Sequence, residues 1–585
     1  MADTDNMSNP CERWRMGMPR EASGQGRTVF IAALGLLALI LVMFGNVLFS
    51  TEQVFLSAAG NDLSSQTLPW YEFGFGELRQ GNLPLWNPHL FSGLPYLGGF
   101  QSALFYPPNL LYLALPMATV VNLLIALHIA LLGLFMFLWA SRRGLHPLAC
   151  FASAALLMFS GPCFLRLYAG HLASFTTMAW IPLVFLAIDA YLSTRRPGWC
   201  FAGMAAITMM ILAGEAQYVF RTVVAAGAYT LFCLAIERRR LQAALGISAM
   251  FGGAAALSAA QLLPGAAAIA ESVRSRRLPQ AFAATFSFPP ENLLTLLAPG
   301  FFGDMTNFSF WGKSYLWEVS LFFGVTGLVL AICGVVYGDK RAKRFSLAMV
   351  LILVLLALGS YSPLFGFLYS VVPGFDRFRG NAKFNVHAMI FLALLAGVGL
   401  DALLRSGRRP ARLPAFLAAA GVALAVTATV VLRPDASGAA PLWWRGFMQG
   451  AQLSGESYLA PEIAADPAFV RHAAAAALGG LQIAAGMLLL LAALLFATRY
   501  GRPAVYALAV LAVAEVFIFA RASLATFDPQ ETRNPSIERV LKEHPGDYRI
   551  LNFVDPNAAS SLGAYDIWGY AWGVSLRYAE FMAFT

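Results

Sequence analysis

The sequence predicts an all-α polytopic membrane protein with about thirteen transmembrane helices. Of its 585 residues, 58% are hydrophobic and only 12% are charged, whereas soluble domains carry roughly 25% charged residues. Apolar runs long enough to cross a bilayer recur along the whole chain. Short basic clusters occupy alternate connections between these runs, which is typical of a multi-pass membrane protein.

The apolar runs give the positions of the predicted helices. They lie at 29–50, 118–140, 147–162, 174–193, 199–213, 218–236, 241–262, 319–337, 345–359, 384–403, 412–432, 473–497 and 503–521. The basic clusters then fall on the side of the basic N-terminus, so the positive-inside rule predicts a cytoplasmic N-terminus and an extracytoplasmic C-terminus. The first apolar run is longer than the core of a secretory signal and indicates a retained anchor.

The predicted organisation has three parts. A cytoplasmic tail at 1–28 precedes a transmembrane domain at 29–521, and an extracytoplasmic C-terminal segment follows at 522–585. In that segment a helix is expected after Asn534 and a strand over 548–554, the beginning of a small α/β structure.

The cytoplasmic connections are short and contain no phosphate-binding glycine motif, so chemistry that needs a cytosolic nucleotide is not expected. The net charge of +9 follows from the topology and does not indicate nucleic-acid binding. The six cysteines show no metal-ligand spacing and predict neither a zinc site nor a disulfide framework.

The long connections all fall on the predicted outer face, and the first of them, residues 51–117, is the first loop. It is too rich in Pro and Gly for one helix and contains Trp70, Trp86 and Tyr106, so we expect it to lie at the membrane surface. A carboxylate, Asp62, stands near its beginning.

Polar residues recur at the outer ends of several predicted helices, and we expect them to converge on one cavity. They are Asp62, Gln66, His171, Glu215, Gln217, Glu318, Asp376, Arg377, Arg379 and Lys383. An ionisable side chain at this depth is costly unless it is paired or hydrated, which favours a functional site.

Several of these residues also have a structural interpretation. Asp62 follows Asn61 in a turn-like context, where a carboxylate often caps a helix. His171 after Gly170 is typical of a helix start or an interfacial position. Glu215 could form an ion pair with Arg221, a turn and a half further along the chain.

The basic residues and two polar residues within predicted spans can also be interpreted in structural terms. Arg377 and Arg379 would point the same way on an extended segment and could bind phosphate, or they could lie at the interface as ordinary anchoring arginines. Glu515 and His128, within predicted spans, are interpreted as helix-packing groups.

A carboxylate, basic side chains and aromatic rings at headgroup depth suit one kind of chemistry. A sugar carried on a polyprenyl phosphate presents an anionic leaving group there, which needs positive charge. An acceptor hydroxyl must lose a proton, and Asp62 could take it. Aromatic rings such as Trp70, Trp86 and Tyr106 would give a sugar face a surface to stack on.

The motifs of the chain resemble those of the YfhO-like bacterial membrane proteins, which belong with the GT-C glycosyltransferases. The likeness rests on Asp62-x-x-x-Gln66-x-x-Pro69, Gly81-Asn82-Leu83-Pro84-Leu85-Trp86-Asn87-Pro88, Gly93-Leu94-Pro95, Tyr106-Pro107-Pro108-Asn109, Gly170-His171, Ala179-Trp180-Ile181-Pro182, Gly214-Glu215-Ala216-Gln217, Pro373-Gly374-Phe375, Phe378-Arg379, Tyr548-Arg549, Asn557, Gly569-Tyr570 and Arg577-Tyr578. Only the first-loop pattern among them is specific.

The resemblance implies a GT-C-like bundle in a bacterial cytoplasmic membrane, with the active site on the outer face. It implies transfer, with inversion, of a hexosyl-type sugar from a polyprenyl-phosphate donor to an envelope glycan, lipid or protein. Asp62 takes the catalytic position, and the donor phosphate is expected at Arg377, Arg379 and Lys383. A divalent cation, Mg²⁺ or Mn²⁺, is left open as a cofactor.

The remaining candidates, Gln66, His171, Glu215 and Gln217, are expected to line the sugar pocket. Two other functions fit the same residues: a transporter or flippase of lipid-linked glycans, and a non-catalytic protein of envelope assembly. Against transport, the polar residues cluster on one face and no inverted repeat is visible, whereas alternating access favours sites near the midplane.

Overall fold

The computed structural model describes residues 22–237, 239–306, 308–405, 412–435, 438–571 and 573–583. Most of the predicted cytoplasmic tail (1–21), Arg238 and residues 406–411 lie outside this range. The helices of the apolar bundle are Ala22–Leu48, Met117–Arg142, Pro147–Met158, Leu172–Met178, Ile181–Thr194, Pro197–Leu212, Ala216–Ile236, Arg240–Leu257, Ala259–Ala270, Val325–Tyr337, Lys340–Ala357, Phe384–Arg405, Leu413–Val431, Pro467–Ala497 and Pro503–Ala522.

The prediction of an all-α multi-pass membrane protein is confirmed. Within the described ranges, eight helices are long and apolar enough to cross a membrane, and a pair bent by 76°, Arg240–Leu257 with Ala259–Ala270, would be a ninth span. Each of the thirteen predicted runs coincides with a helix, but several of these helices are shorter than a full span. The number of thirteen spans and the orientation stay predictions.

The helix Phe384–Arg405 lies at the centre of the bundle, and nearly all its residues are buried. It packs against Val325–Tyr337 and Lys340–Ala357. At Gly334 and Gly399 the first pair comes so close that a Cβ on either residue would overlap a carbonyl oxygen of the partner helix. Small residues at such contacts allow van der Waals packing of helices in lipid.

His128 and Glu515 are helix-packing groups, as expected. His128 is buried, with Nδ1 2.6 Å from the Leu124 carbonyl oxygen and Nε2 2.5 Å from the Tyr106 hydroxyl. The Glu515 carboxylate accepts hydrogen bonds from the amides of Val325 and Thr326, at 2.7 and 2.9 Å. It therefore satisfies two first-turn amides of a neighbouring helix that have no partner within that helix.

The first loop folds into short elements rather than one helix. A π-helical turn, Leu63–Thr67, continues into the helix Leu68–Arg79, and a two-residue antiparallel pair joins Trp86–Asn87 to Leu94–Pro95. The 3₁₀ turns Phe100–Ser102 and Pro107–Leu113 complete it.

The other long connections contain short helices, and the C-terminal segment has the predicted helix but little strand. The helices outside the bundle are Gly161–Phe164, Gln280–Ala283, Leu316–Val319, Leu364–Val371, Leu442–Leu453, Pro461–Ala465, Pro535–Glu543, Ala558–Leu562 and Leu576–Ala583, with 3₁₀ turns at Pro290–Leu296, Gly359–Tyr361, Asn381–Lys383 and Pro529–Thr532. The strand expected over 548–554 is reduced to Arg549–Ile550, parallel to Tyr565–Asp566. This segment docks on the first loop, where Phe91 and Ser92 donate their amides to the carbonyl oxygens of Trp568 and Asp566.

Candidate functional site

The carboxylate of Asp62 stands at the beginning of the π-helical turn but does not cap it, since its side chain accepts no hydrogen bond from that turn. Its Oδ2 lies 3.2 Å from Nε2 of His171, with side chains 42% and 18% exposed respectively. A carboxylate only accepts hydrogen bonds, so Nε2 carries the proton in this contact. Asp62 is thus oriented by His171 and still open to a ligand.

The close approach of His171 to Asp62 depends on Gly170. This residue has a φ of +72°, and a Cβ there would lie 2.5 Å from the Leu63 nitrogen and 2.9 Å from Oδ1 of Asn61. Asn61 also donates its amide to the Tyr168 carbonyl oxygen. The turn around Asp62 and the turn before His171 therefore lie directly against each other, as the prediction of a shared cavity requires.

A stack of three aromatic rings extends from His171 toward solvent. The His171 ring meets Trp317 edge-on at 6.0 Å. Trp317 then stacks on Tyr315 at 4.6 Å, and Tyr315 stacks on Tyr458 at 4.2 Å with a 6° angle between ring planes. We call Trp317, Tyr315 and Tyr458 the ring stack. Tyr458 is exposed, so the stack runs from the Asp62–His171 pair to the surface.

The aromatic residues expected to contact a sugar are different ones. Trp70 and Tyr106 are buried in the core, where Trp70 stacks on Tyr96 and the Tyr106 hydroxyl accepts from Nε1 of Trp180 at 3.0 Å. That expectation was wrong for these two side chains, because the first loop uses them as packing groups. Trp86 is exposed.

Beside the ring stack lies a buried network of charges centred on Glu318. Arg166 donates to both of its carboxylate oxygens at 3.1 Å, and Nζ of Lys383 lies 2.6 Å from Oε1. Burial alone would raise the pKa of Glu318, which precedes the helix Val325–Tyr337, but the Arg166 and Lys383 charges lower that pKa well below 4.5. Because two cations surround one carboxylate, the network keeps a net positive charge beneath the site.

Glu215 and Arg221 do not form the ion pair that their spacing allowed. The Arg221 guanidinium is buried and donates to the carbonyl oxygens of Gln217, Arg379 and Gly380 at 2.9, 2.7 and 2.8 Å. The Glu215 carboxylate makes no hydrogen bond or ion pair with any described residue. Glu215 therefore stays available to a ligand, while Arg221 holds the loop that carries Arg379.

Gln217 and Gln66 have different surroundings. The Gln217 side-chain oxygen is buried, lies near Gly380 and has no hydrogen-bond partner among the described residues. Gln66 is buried and donates to Oε1 of Gln101 at 2.7 Å.

Arg377 and Arg379 do not point to common partners, because the segment is a turn in which Arg377 and Phe378 donate their amides to the Gly374 oxygen. Arg377 donates to the Ser275 carbonyl oxygen at 2.6 Å and lies 3.8 Å from Asp376. The Arg379 guanidinium lies 5.0 Å from the ring centroids of Phe282 and Phe286.

A further arginine, Arg274, belongs to this group. The loop that carries it runs along the Arg379 loop, since Leu278 donates its amide to the Asp376 carbonyl oxygen at 3.0 Å. Neither guanidinium forms an ion pair with a described carboxylate. Burial lowers the pKa of Arg274, and the like charge of Arg379 lowers it further. Two unpaired arginines that repel each other are typical of an anion site.

A tightly held divalent cation would need several donor side chains around it. In the described part of the chain, no three His, Cys, Asp or Glu side chains converge as a metal site would require. Asp62 and His171 supply two donors. These two donors alone do not fit a tightly held divalent cation.

Comparison with solved structures gives weak likenesses over most of the chain. ArnT from Cupriavidus metallidurans, bound to undecaprenyl phosphate, is 15% identical with a TM-score of 0.43, over 93% of this chain and 85% of that one. The oligosaccharyltransferase AglB from Archaeoglobus fulgidus is 14% identical with a TM-score of 0.43, over 96% and 68%. Arabinosyltransferase EmbB from Mycobacterium smegmatis is 13% identical with a TM-score of 0.39, over 86% and 43%.

These structural neighbours are glycosyltransferases of the GT-C type. At such identities and TM-scores the likeness says nothing about individual residues of this chain. No protein-family model and no curated protein sequence matches it. Membership of the YfhO-like family stays a prediction.

Several residues of the site were not singled out in the sequence. Arg274 lies in a run of three arginines within residues 274–277, in a connection predicted to be extracytoplasmic. Basic clusters are depleted there by the positive-inside rule, so this exception was a usable signal. Arg166, between two apolar runs, was another. The ring stack had no such signal in the sequence, because Tyr458 comes from a distant connection.

Proposed function

We propose that this chain is a membrane-embedded glycosyltransferase of the YfhO-like, GT-C type, which transfers a hexosyl-type sugar from a polyprenyl-phosphate donor to a cell-envelope acceptor. The observation that carries the proposal is the half-exposed Asp62 carboxylate, oriented by His171, in a site that also contains two unpaired arginines. Asp62, Arg379 and Arg274 all act electrostatically on Tyr570, and such a transfer needs a base and an anion site near each other.

The proposed base is Asp62. The acceptor hydroxyl would give its proton to the Asp62 carboxylate as its oxygen attacks the anomeric carbon of the donor sugar, on the face opposite the phosphate. The C1–O bond to the phosphate breaks, and the polyprenyl phosphate leaves with the electron pair. His171, 3.2 Å away, acts as a positioning residue that fixes the carboxylate.

The proposed phosphate group is held by Arg379 together with Arg274. Guanidinium groups match phosphate oxygens through paired hydrogen bonds. Lys383 takes a supporting role in this proposal, because its ammonium binds Glu318 at 2.6 Å. The net positive charge of that network would stabilise the negative charge of the departing phosphate. Arg377 is not part of the proposed phosphate group, because its guanidinium contacts Ser275 and Asp376.

The sugar pocket is proposed to lie between the ring stack and the polar side chains of Glu215 and Gln217. Both polar side chains lack a hydrogen-bond partner among the described residues. Unpaired acceptors of this kind can bind sugar hydroxyls, and aromatic rings provide apolar contact. Gln66 would support the sugar pocket indirectly, through its hydrogen bond to the Gln101 side chain. By the positive-inside rule, the site faces the extracytoplasmic side of the bacterial cytoplasmic membrane.

The arginines offer a matched test of the proposed phosphate group. We expect Arg379→Ala to weaken binding of undecaprenyl phosphate about tenfold or more, since a charge-assisted contact is worth about 1.5–3 kcal/mol. Arg377→Ala, from the same loop, should bind like wild type. Native mass spectrometry of the detergent-purified protein measures both affinities, with undecaprenol as the uncharged control. Equal loss in the two variants would contradict this assignment.

A further inference from the structure

The C-terminal segment crosses from the first loop to the loop of Arg274, and it passes over the candidate site. Its first anchor is Asn557, whose side chain is fully buried. The Asn557 side-chain amide donates to the Ser65 and Tyr570 carbonyl oxygens at 2.7 and 2.9 Å, and its Oδ1 accepts from the Tyr570 amide at 2.8 Å. Asn557 thereby ties the backbone of Tyr570 to the turn that begins at Asp62.

The second anchor lies a few residues further along. Val273 donates its amide to the Val574 carbonyl oxygen at 3.0 Å, and Leu576 donates to the Glu271 carbonyl oxygen at 2.8 Å. Ser272 and Ser575 form an antiparallel bridge between these contacts. Residues 574–576 therefore lie directly beside the loop that carries Arg274.

Tyr570 lies between the two anchors, and its charged surroundings agree with that position. Burial raises the pKa of its phenol, the Asp62 carboxylate raises it further, and the Arg379 and Arg274 guanidiniums lower it. The residue is nevertheless 46% exposed. Its side chain therefore stands near the proposed base and the proposed phosphate group while one part of it remains accessible.

We infer that Tyr570 contacts the donor and covers its reacting carbon, so that the C-terminal segment keeps water out of the transfer reaction. This inference rests on the proposed function. Asn557 is then a positioning residue, since it acts by holding Tyr570. The tyrosine side chain has an apolar ring that can cover a sugar and a polar hydroxyl that can face solvent.

The reaction that Tyr570 would suppress is hydrolysis of the donor. Water attacks the anomeric carbon, the C1–O bond to the phosphate breaks, and the products are the free sugar and polyprenyl phosphate. The proton from water passes to Asp62, as it does from an acceptor hydroxyl. Exclusion of water from a closed site is a general means of preventing such side reactions.

The test is acceptor-free release of undecaprenyl phosphate from a panel of undecaprenyl-phosphate hexoses. We expect Tyr570→Ala to raise Asp62-dependent release at least about fivefold, because the cover is removed. Tyr570→Phe retains the ring, so its acceptor-free release should lie well below that of Tyr570→Ala. Phe581→Ala, an exposed residue of the same segment, serves as the control. Adding Asp62→Asn to Tyr570→Ala should remove the gain.

The outcomes separate this inference from the proposed function. If folded Tyr570→Ala releases undecaprenyl phosphate no faster than wild type, while wild-type release depends on Asp62, the inference is overturned and the proposed function stands. If wild type shows no Asp62-dependent release even with a bacterial envelope extract added as the source of acceptor, the proposed function itself fails.

A second measurement needs no turnover. Tyr570→Cys should react with a water-soluble maleimide, and saturating undecaprenyl phosphate should slow that labelling. Phe581→Cys should label equally with and without the lipid. Protection of both cysteines, or of neither, by a lipid that native mass spectrometry shows to be bound would also overturn the inference.

Discussion

Replacing Asp62 with Asn should reduce transfer by about 10²–10⁴-fold, the contribution of a general base. The amide has the shape of the carboxylate and still accepts a hydrogen bond from His171, but it cannot take a proton at neutral pH. Release of polyprenyl phosphate from the donor measures the loss. Binding of undecaprenyl phosphate and the melting temperature should be nearly unchanged, because the Asp62 side chain caps no helix.

The matched control for this variant is Glu52→Gln, which changes an exposed acid of the same loop. It should transfer like wild type. Full activity of Asp62→Asn would remove Asp62 from the mechanism. Loss of activity in both variants would point to a general effect of charge in the loop.

The largest effect on stability is expected for Glu318→Gln. The variant leaves the buried Arg166 and Lys383 without their carboxylate, and breaking a buried pair from one side costs about 3–5 kcal/mol. The side chains of Arg166 and Glu318 are only 1% and 4% exposed, so water cannot compensate for the loss. We expect a strongly lowered melting temperature for the detergent-solubilised protein.

Glu291→Gln is the control for Glu318→Gln, because Glu291 pairs with Lys313 at 3.0 Å in a partly exposed position. That change should cost about 0–1 kcal/mol. A melting temperature that falls equally little in both variants would show that the Glu318 network is not a stabilising element.

The same network predicts a pH dependence of stability. The pKa of Glu318 is lower in the folded chain than its ordinary value of 4.5. The Glu318 carboxylate therefore stabilises the fold fully when the pH is above its ordinary pKa. This stabilisation is lost as the pH falls through its lower pKa in the folded chain. The melting temperature of wild type should fall more steeply as the pH is lowered through that range. The melting temperature of Glu318→Gln should not show this additional fall.

Sequence reasoning predicted the helices well because apolar length and periodicity are local properties. It also placed Asp62 and His171 at the same predicted membrane boundary, and the structure brings the two side chains into contact. The structure adds the reason for their contact, which is the close packing at Gly170. A glycine is visible in a sequence, but its left-handed conformation and its packing partner are not.

The rest of the site depends on contacts between distant segments, which local patterns do not contain. Lys383 was expected to bind the donor phosphate, yet in the structure its ammonium forms an ion pair with Glu318. Arg377 and Arg379 were treated alike, and a turn separates their contacts. Tyr570 approaches the site only because the C-terminal segment folds back over the first loop.

The central claim is that this protein breaks the bond between a sugar and a polyprenyl phosphate. Its most direct test is incubation of the purified wild-type protein with a panel of undecaprenyl-phosphate sugars and a bacterial envelope extract as the source of acceptor, following release of undecaprenyl phosphate. The account predicts saturable release from one member of the panel. No release from any member, together with movement of the intact labelled lipid across liposome bilayers, would contradict it and favour transport.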